Sequence, residues 1–261
     1  MSKTAPIKTA MIMAAGQGTR MAPLTDERSK AMVTLGGKPL IDHMLDRLGE
    51  AGIKRAVINV HAHADQLEEH VLSHAYGPDI IISDERDALL ETGGGVVNAL
   101  SLLGDDPFLI CNIDAIWVQR ENLIKKLISY WTDEMDELLM LTRRQYAFGY
   151  NGPGDFHTDF DLRLTRRWQA VAPEMYAGVQ ICRPHVFDGF KAEKFSRNKV
   201  WDKSLDRGKL YGVNVFSKDG FEGEKLDGYW LHVGDPQARD IAEAILADPD
   251  NPWTAIGHGN G

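Results

Sequence analysis

From Lys8 to Ala14 the chain reads Lys-Thr-Ala-Met-Ile-Met-Ala, an apolar run of strand length. Between Pro39 and Ala51 the apolar residues recur at helical spacing instead, at Leu40, Ile41, Met44, Leu45 and Leu48, and Gly52 supplies a stop. The pattern then predicts a strand over Ala56–Val60, a helix over Asp65–Ser73, a strand over Ile80–Ser83, a helix over Gly94–Leu103 and a strand over Phe108–Asn112 that leads to Asp114. Strands alternating with helices imply right-handed crossovers and a largely parallel sheet, whose ligands gather at the carboxyl ends of the strands. The glycine-containing stretch after the first strand and Asp114 after the fourth meet at that edge, although roughly 100 residues separate them. Past Asn151 the alternation gives way to turns rich in Gly, Pro and Asp, with strands expected at Leu162–Trp168, Met175–Cys182 and Leu210–Val215. These are expected to form a smaller substrate-facing lobe on the same sheet, and 248–261 reads as a loosely held tail.

The chain has 261 residues, 43% hydrophobic and 26% charged, within reach of one large α/β domain that needs no covalent staple. No apolar run approaches the roughly 20 residues of a membrane span. The opening Met-Ser-Lys-Thr-Ala-Pro-Ile-Lys leads into a strand and not into a signal-peptide core, so a cytoplasmic protein without a membrane partner is expected. Cys111 and Cys182 are far apart in apolar segments and read as buried free thiols. A net charge of −9 argues against nucleic acid as a partner. Anionic ligands must then meet local positive charge, and Arg20, Arg28, Lys30 and Lys38 supply it around glycines.

The most informative segment is Ala14-Ala15-Gly16-Gln17-Gly18-Thr19-Arg20-Met21-Ala22-Pro23-Leu24-Thr25, followed by Lys30 and by Gly36-Gly37-Lys38-Pro39-Leu40-Ile41. Small residues and glycines let backbone N–H groups approach a polyphosphate, while Arg20 and Lys30 can neutralise it. A Walker loop would end in Gly-Lys-Ser/Thr and a dinucleotide fingerprint would have glycine where Met21 stands, so the segment is neither.

The whole string resembles the signature of the sugar-nucleotide pyrophosphorylases, nucleotidyltransferases with a glycosyltransferase-A-like fold. The departure is Ser29-Lys30-Ala31, where that family usually has Pro-Lys-Pro. Glu91-Thr92-Gly93-Gly94-Gly95, Phe108 to Asp114, Gly154-Asp155-Phe156, Tyr176-Ala177-Gly178 and Gly228 to Gly234 follow in the order of one branch. That branch is similar to the N-acetylmuramic acid 1-phosphate uridylyltransferases of cell-wall (peptidoglycan) recycling and also to mannose 1-phosphate guanylyltransferases.

The resemblance implies a Rossmann-like three-layer α/β sandwich with a mainly parallel mixed sheet. It forms a single domain over 1–261, with a nucleotide-binding part at about 8–150 and a sugar-phosphate-binding part at about 151–247. It also implies transfer of a nucleotidyl group from a nucleoside triphosphate, UTP before GTP, to a sugar 1-phosphate, with release of pyrophosphate. Arg20 would hold the β- and γ-phosphates, Lys30 would bridge the α-phosphate and the incoming phosphate, and Asp114 would hold Mg²⁺, with no protein nucleophile. Ala14, Ala15, Gly16, Gly18, Thr19, Arg20, Glu85, Glu91, Thr92 and Gly93 are the nucleotide candidates, the Glu91–Gly94 backbone reading the base edge. Asn112, Asp155, Tyr176, Gly178 and Trp230 are the sugar-phosphate candidates, Gly178 leaving room for the ring.

The second metal aspartate of the family's Trp-x-Asp-x-Gly segment is His232 here, in Trp230-Leu-His-Val-Gly-Asp235. Imidazole is a poor Mg²⁺ ligand, so Asp114 with substrate phosphates is the expected arrangement, with a contribution from Asp235 or His232, or acceptance of Mn²⁺, as the alternatives. The same mismatch admits a non-catalytic nucleotide-binding module. His61, His63, His70 and His74 are read as a solvated surface in preference to a zinc cluster, and His157, Asp159 and Asp161 as an exposed loop. The 133–137 acidic run is read as a charged loop, and Trp168, Trp201 and Trp230 as core or sugar-facing residues. A monomer or small homo-oligomer is expected.

Overall fold

The computed structural model describes residues 5–216 and 228–248. The tail reading of 248–261 therefore lies outside the described residues except at Asp248. In chain order the elements are β1 (Thr9–Met13), β2 (Thr34–Leu35), β3 (Lys38–Pro39), α1 (Leu40–Ala51), β4 (Arg55–Val60), α2 (Ala64–Ser73), β5 (Asp79–Asp84) and α3 (Glu91–Leu103). Then come β6 (Phe108–Asn112), β7 (Ala115–Gln119), α4 (Leu123–Ser129), β8 (Glu137–Arg143), β9 (Ala147–Phe148), β10 (Phe156–Thr158) and β11 (Leu164–Arg166). The last are β12 (Glu174–Cys182), α5 (Asn198–Asp206), β13 (Leu210–Asn214), β14 (Gly228–His232) and α6 (Pro236–Ala247).

The main sheet runs β11-β10-β12-β6-β1-β4-β5, with β8 on β12 and β13 on β8. Its β6-β1-β4-β5 half is parallel, and β12 enters antiparallel to both β6 and β8. The strand side chains alternate between two cores. Ala10, Ile12, Ile58 and Leu109 face one with α1, α2 and α4, while Met11, Val57 and Ile110 face the other with α3 and α5. Burial on both faces explains why β1 and β6 read as unbroken apolar runs. The result is the expected three-layer sandwich with a mixed sheet. A small second sheet, β7-β14-β9, stands beside it.

α1 buries Leu40, Ile41, Met44, Leu45 and Leu48 and stops at Gly52, whose positive φ of 84° lets its N–H return to the last turn. α3 begins at Glu91, three residues before the expected Gly94. The reason is tertiary: a side chain at Gly93 would collide with the Phe195 ring, and one at Gly94 with the Glu193 carbonyl. The glycine string is thus a close helix contact rather than a flexible loop. Both cysteines are buried and unpaired, and burial pushes both thiols up.

The acidic run is not wholly a loop, because Glu137 opens β8 and is fully buried. Its carboxylate accepts hydrogen bonds from Ser204 Oγ (2.6 Å) and Gln180 Nε2 (2.8 Å), and Gln180 Oε1 accepts from Trp201 Nε1 (3.0 Å). Burial outweighs those contacts and the nearby Arg197 charge, pushing the Glu137 carboxyl from 4.5 up to about 7. An acid whose pKa rises on folding keeps its proton in the native state, so stability falls as pH climbs from about 4.5 to about 7. Glu137→Gln keeps both partners without the ionisation. Its urea stability is expected to gain on the wild type steadily between pH 5 and pH 7.5, and a pH-independent difference would exclude Glu137 as the titrating group.

Candidate active site

The cradle starts where β1 ends. Ala14 N and Ala15 N both donate to Asn59 Oδ1, at 2.7 and 3.2 Å, and Asn59 Nδ2 donates to Glu85 Oε1 at 2.7 Å. Glu85 Oε2 then accepts from Leu90 N at 3.3 Å, at the entry to α3. Asn59 is 1% exposed and Glu85 3%, so this relay of β4 and β5 side chains is internal. Of the nucleotide candidates, Ala14 and Ala15 thus have their amides taken up by Asn59, and Glu85 accepts from Asn59 and from the Leu90 amide. The open part of the cradle is Gly16 to Arg20: Gly16 has free space about it, and Gly18 turns the chain at φ 66° with its carbonyl held by Met21 N (2.7 Å) and Thr25 Oγ1 (2.9 Å). A short 3-10 turn, Thr19–Met21, then buries Met21 and leaves Arg20 exposed.

Lys30 begins a second 3-10 turn whose flanks lack the family's prolines. Ser29 supplies the rigidity, its Oγ accepting from Ala31 N (3.3 Å) and its carbonyl from Met32 N (2.9 Å). The Lys30 ammonium, 8% exposed as a residue, reaches Asp114 Oδ2 at 2.7 Å just beyond β6. Burial works to raise the Asp114 pKa, but the charge and hydrogen bond of Lys30, with help from His232, outweigh it and hold the carboxyl below its usual range.

β14 brings the C-terminal segment to the same place. Its register against β7 sets His232 opposite Ala115, the neighbour of Asp114, and Trp230 opposite Trp117. The His232 ring stacks on Trp230, with centroids 5.5 Å apart, and lies edge-on to Tyr150 at 6.5 Å. Gly234 lets it in, since a side chain there would strike the imidazole. Burial lowers the His232 pKa, Asp114 opposes the shift, and Lys30 and Arg20 reinforce it. Its Nδ1 is buried without a partner. Asp235 caps α6, accepting from Ala238 N at 2.8 Å, and is committed to that helix end.

The remaining candidates fall around the N-terminal end of β12, next to the end of β6. Asp155 Oδ2 accepts from Tyr176 N (2.9 Å), Trp230 Nε1 donates to the Ala177 carbonyl (3.0 Å), and Asn112 carries a buried Oδ1 without a partner. The space left by Gly178 is filled by the Ala115 side chain, so this glycine serves strand packing and not a sugar ring. On the other side, Gly93 N and Gly94 N lie on the Phe195 carbonyl (2.9 and 3.4 Å), and Thr92 Oγ1 accepts from Arg197 N (3.0 Å). Within the Glu91–Gly94 segment expected to read the base edge, those two amides are satisfied internally, whereas Glu91 and Thr92 remain exposed. Asn59 and Arg197 are the residues that sequence reasoning missed, and an amide within the apolar strand Ala56–Val60 was the visible signal for the first.

Among the described residues no three His, Cys, Asp or Glu side chains gather as a metal-ligand set. His70 pairs with Asp42 (2.8 Å), Asp159 caps its own turn through Asp161 N and Arg163 N, and Trp201 and Trp230 are buried while Trp168 is exposed. At the main site the donor set is one carboxylate with an orphaned amide oxygen two residues away. That suits a hard cation such as Mg²⁺, which commonly takes one or two carboxylates and completes its shell with phosphate oxygens and water. No helix among the described residues is long and apolar enough to cross a membrane.

Residues 10–181 match the model of the MobA-like NTP transferase domain, which spans the cradle, Lys30, Asp114 and most of β12. The chain belongs to this nucleotidyltransferase family. Among relatives, it is 42% identical over 248 residues to the N-acetylmuramate alpha-1-phosphate uridylyltransferase of Caulobacter vibrioides, covering 92% of this chain and 98% of that protein. It is 35% identical to the enzyme of the same name from Neisseria meningitidis serogroup B, covering 86% and 92%. Among solved structures, the inositol-1-phosphate CTP transferase of T. maritima superposes with a TM-score of 0.74 at 16% identity, over 99% of this chain and 100% of that one, a likeness of fold.

The Asn59 relay has a direct test. Asn59→Ala leaves two cradle amides and Glu85 Oε1 without their partner, with an expected stability loss on the order of 2–3 kcal/mol in urea titration. Nucleotide affinity measured by calorimetry should fall with it, and wild-type values in both would remove Asn59 from the site.

Proposed function

We propose that the chain catalyses uridylyl transfer from UTP to N-acetylmuramic acid 1-phosphate, releasing pyrophosphate and forming UDP-N-acetylmuramic acid, a reaction of cell-wall recycling. The observation that carries the reading is the Lys30–Asp114 pair set below the open Gly16–Arg20 cradle. The similarity to the Caulobacter vibrioides and Neisseria meningitidis uridylyltransferases over nearly their whole lengths supports the choice of base and sugar.

A phosphate oxygen of the sugar 1-phosphate attacks the α-phosphorus of UTP in line. The new P–O bond forms as the bond from the α-phosphorus to the bridging oxygen breaks, and pyrophosphate leaves with that electron pair. Both substrates are already ionised at neutral pH, so no protein base or nucleophile is needed. The protein's tasks are to hold two anions in line and to neutralise charge on the pentavalent phosphorus. Arg20, exposed at the end of the cradle, takes the departing β- and γ-phosphates. Lys30 exchanges Asp114 for the α-phosphate and the incoming phosphate. Asp114 would hold a divalent cation, Mg²⁺ or Mn²⁺, which supplies further charge neutralisation when bound. Asn112, Asp155, Tyr176 and Trp230 form the sugar side, and Glu91 and Thr92 border the base.

Pyrophosphate release with Mg²⁺, UTP and N-acetylmuramic acid 1-phosphate tests the reading, and EDTA should abolish it. Higher kcat/KM with GTP and mannose 1-phosphate would replace it with guanylyl transfer, and nucleotide binding without turnover on either pair would leave a binding module. Arg20→Ala is expected to lower kcat/KM about 100-fold or more without lowering Tm, because the side chain is exposed and its loss disturbs no core. Asp114→Asn should remove turnover as well, and wild-type activity in either variant would move the site elsewhere.

A further inference from the structure

Arg197, the residue before α5, is 3% exposed, yet most of its hydrogen-bonding capacity is unused. Nη2 donates to the Tyr176 hydroxyl at 3.0 Å, while Nε and Nη1 are buried with no partner. Three of the five N–H groups of a guanidinium are thus unsatisfied. The nearby carboxylate of Glu137 does not answer them, since its oxygens accept from Ser204 and Gln180. A buried, incompletely paired cation is destabilising, and the aromatic rings beside it leave those N–H groups without acceptors.

The guanidinium lies 5.2 Å from the Tyr176 ring centroid and 5.1 Å from that of Trp201. The Arg197 backbone is fixed to Thr92 at the start of α3, so the side chain bridges the α3 entry and the beginning of β12. β12 shifts register against β8 between Tyr176 and Gln180, and Asn112, whose buried Oδ1 also lacks a partner, packs its Cβ beside Gly178 in that shifted segment. Tyr176 is half-buried, which leaves Arg197 one side chain below the surface of the proposed sugar site.

We propose that Arg197 is the specificity-determining residue for a carboxylate carried by the sugar, so that this site selects an acidic sugar 1-phosphate over its neutral counterpart. The inference rests on the function proposed above, whose sugar bears a lactyl carboxylate. A planar fork with free N–H groups matches a carboxylate in geometry and charge. A site with buried donors rejects an analogue that leaves them empty far more strongly than an apolar pocket rejects an extra group. The 1-phosphate is the other anion on the same substrate, and a neutral sugar 1-phosphate separates the two.

The experiment compares kcat/KM, with UTP saturating, for N-acetylmuramic acid 1-phosphate and for N-acetylglucosamine 1-phosphate, which carries a hydroxyl in place of the lactyl ether. In Arg197→Met the acid-to-neutral ratio is expected to fall 30-fold or more, and in Arg197→Lys, which keeps the charge but not the fork, at least 5-fold. Equal losses on both substrates would overturn the inference, as phosphate binding or a merely structural role would produce them. If Arg197→Met does not fold, the Lys variant decides by the same ratio. Absence of turnover of the acidic sugar by the wild type would remove the uridylyltransferase reading and this inference with it. Turnover with an unchanged ratio in the variants would remove the inference alone.

Discussion

Lys30 and Asp114 are 84 positions apart and meet at 2.7 Å, largely out of water, and that contact ties the loop after β1 to the end of β6. Each charge would be unfavourable there by itself, and each makes the other tolerable. The pair therefore fixes where the cradle sits relative to the strand ends and, at the same time, holds the chemistry of the site in reserve. On the proposed reaction, an incoming polyphosphate would compete with Asp114 for the lysine, and a cation would compete with Lys30 for the carboxylate. Ligands of opposite sign can replace the pair together, whereas one alone would strand a buried charge. The requirement matches a reaction that brings both.

The parallel half of the sheet was legible because its strands are buried on both faces and its α1 carries a five-residue apolar stripe. Elements governed by distant contacts were not. α4 has only seven residues, and α5 buries just Val200, Trp201 and Ser204, too thin a stripe to stand out from its lysines and aspartates. β8 begins inside an acidic run, and only the partners on β12 and α5 explain how Glu137 can be its first buried residue. α6 has an Asp-Pro start visible in the sequence, but a motif reading of the preceding segment drew attention to metal ligation instead of helix capping.

Within the site, the residues that were legible are those whose type is tied to one kind of chemistry: glycines beside basic residues, and an aspartate at a strand end. Asn59 and Arg197 escaped because a single polar residue in a strand or before a helix says nothing about what it will face. Asn59 becomes informative only when the amides of Ala14 and Ala15 are seen on its oxygen, and Arg197 only when its Nε and Nη1 are found without partners. Gly178 is the converse, a residue whose type suggested ligand space but whose neighbour Ala115 had already taken it.

The imidazole of His232 has a related consequence. Beside Asp114, an imidazole adds no negative charge where a second aspartate would have added one. Arg20, Lys30 and Asp114 together then carry one net positive unit, opposite in sign to the negative balance of the whole chain. Such a site attracts a polyphosphate ahead of a bare divalent cation. On the proposed reaction, the nucleotide's own oxygens must provide most of the cation's ligands, so metal and nucleotide are expected to enter together. One aspartate can then serve where two would be needed for a cation bound in advance.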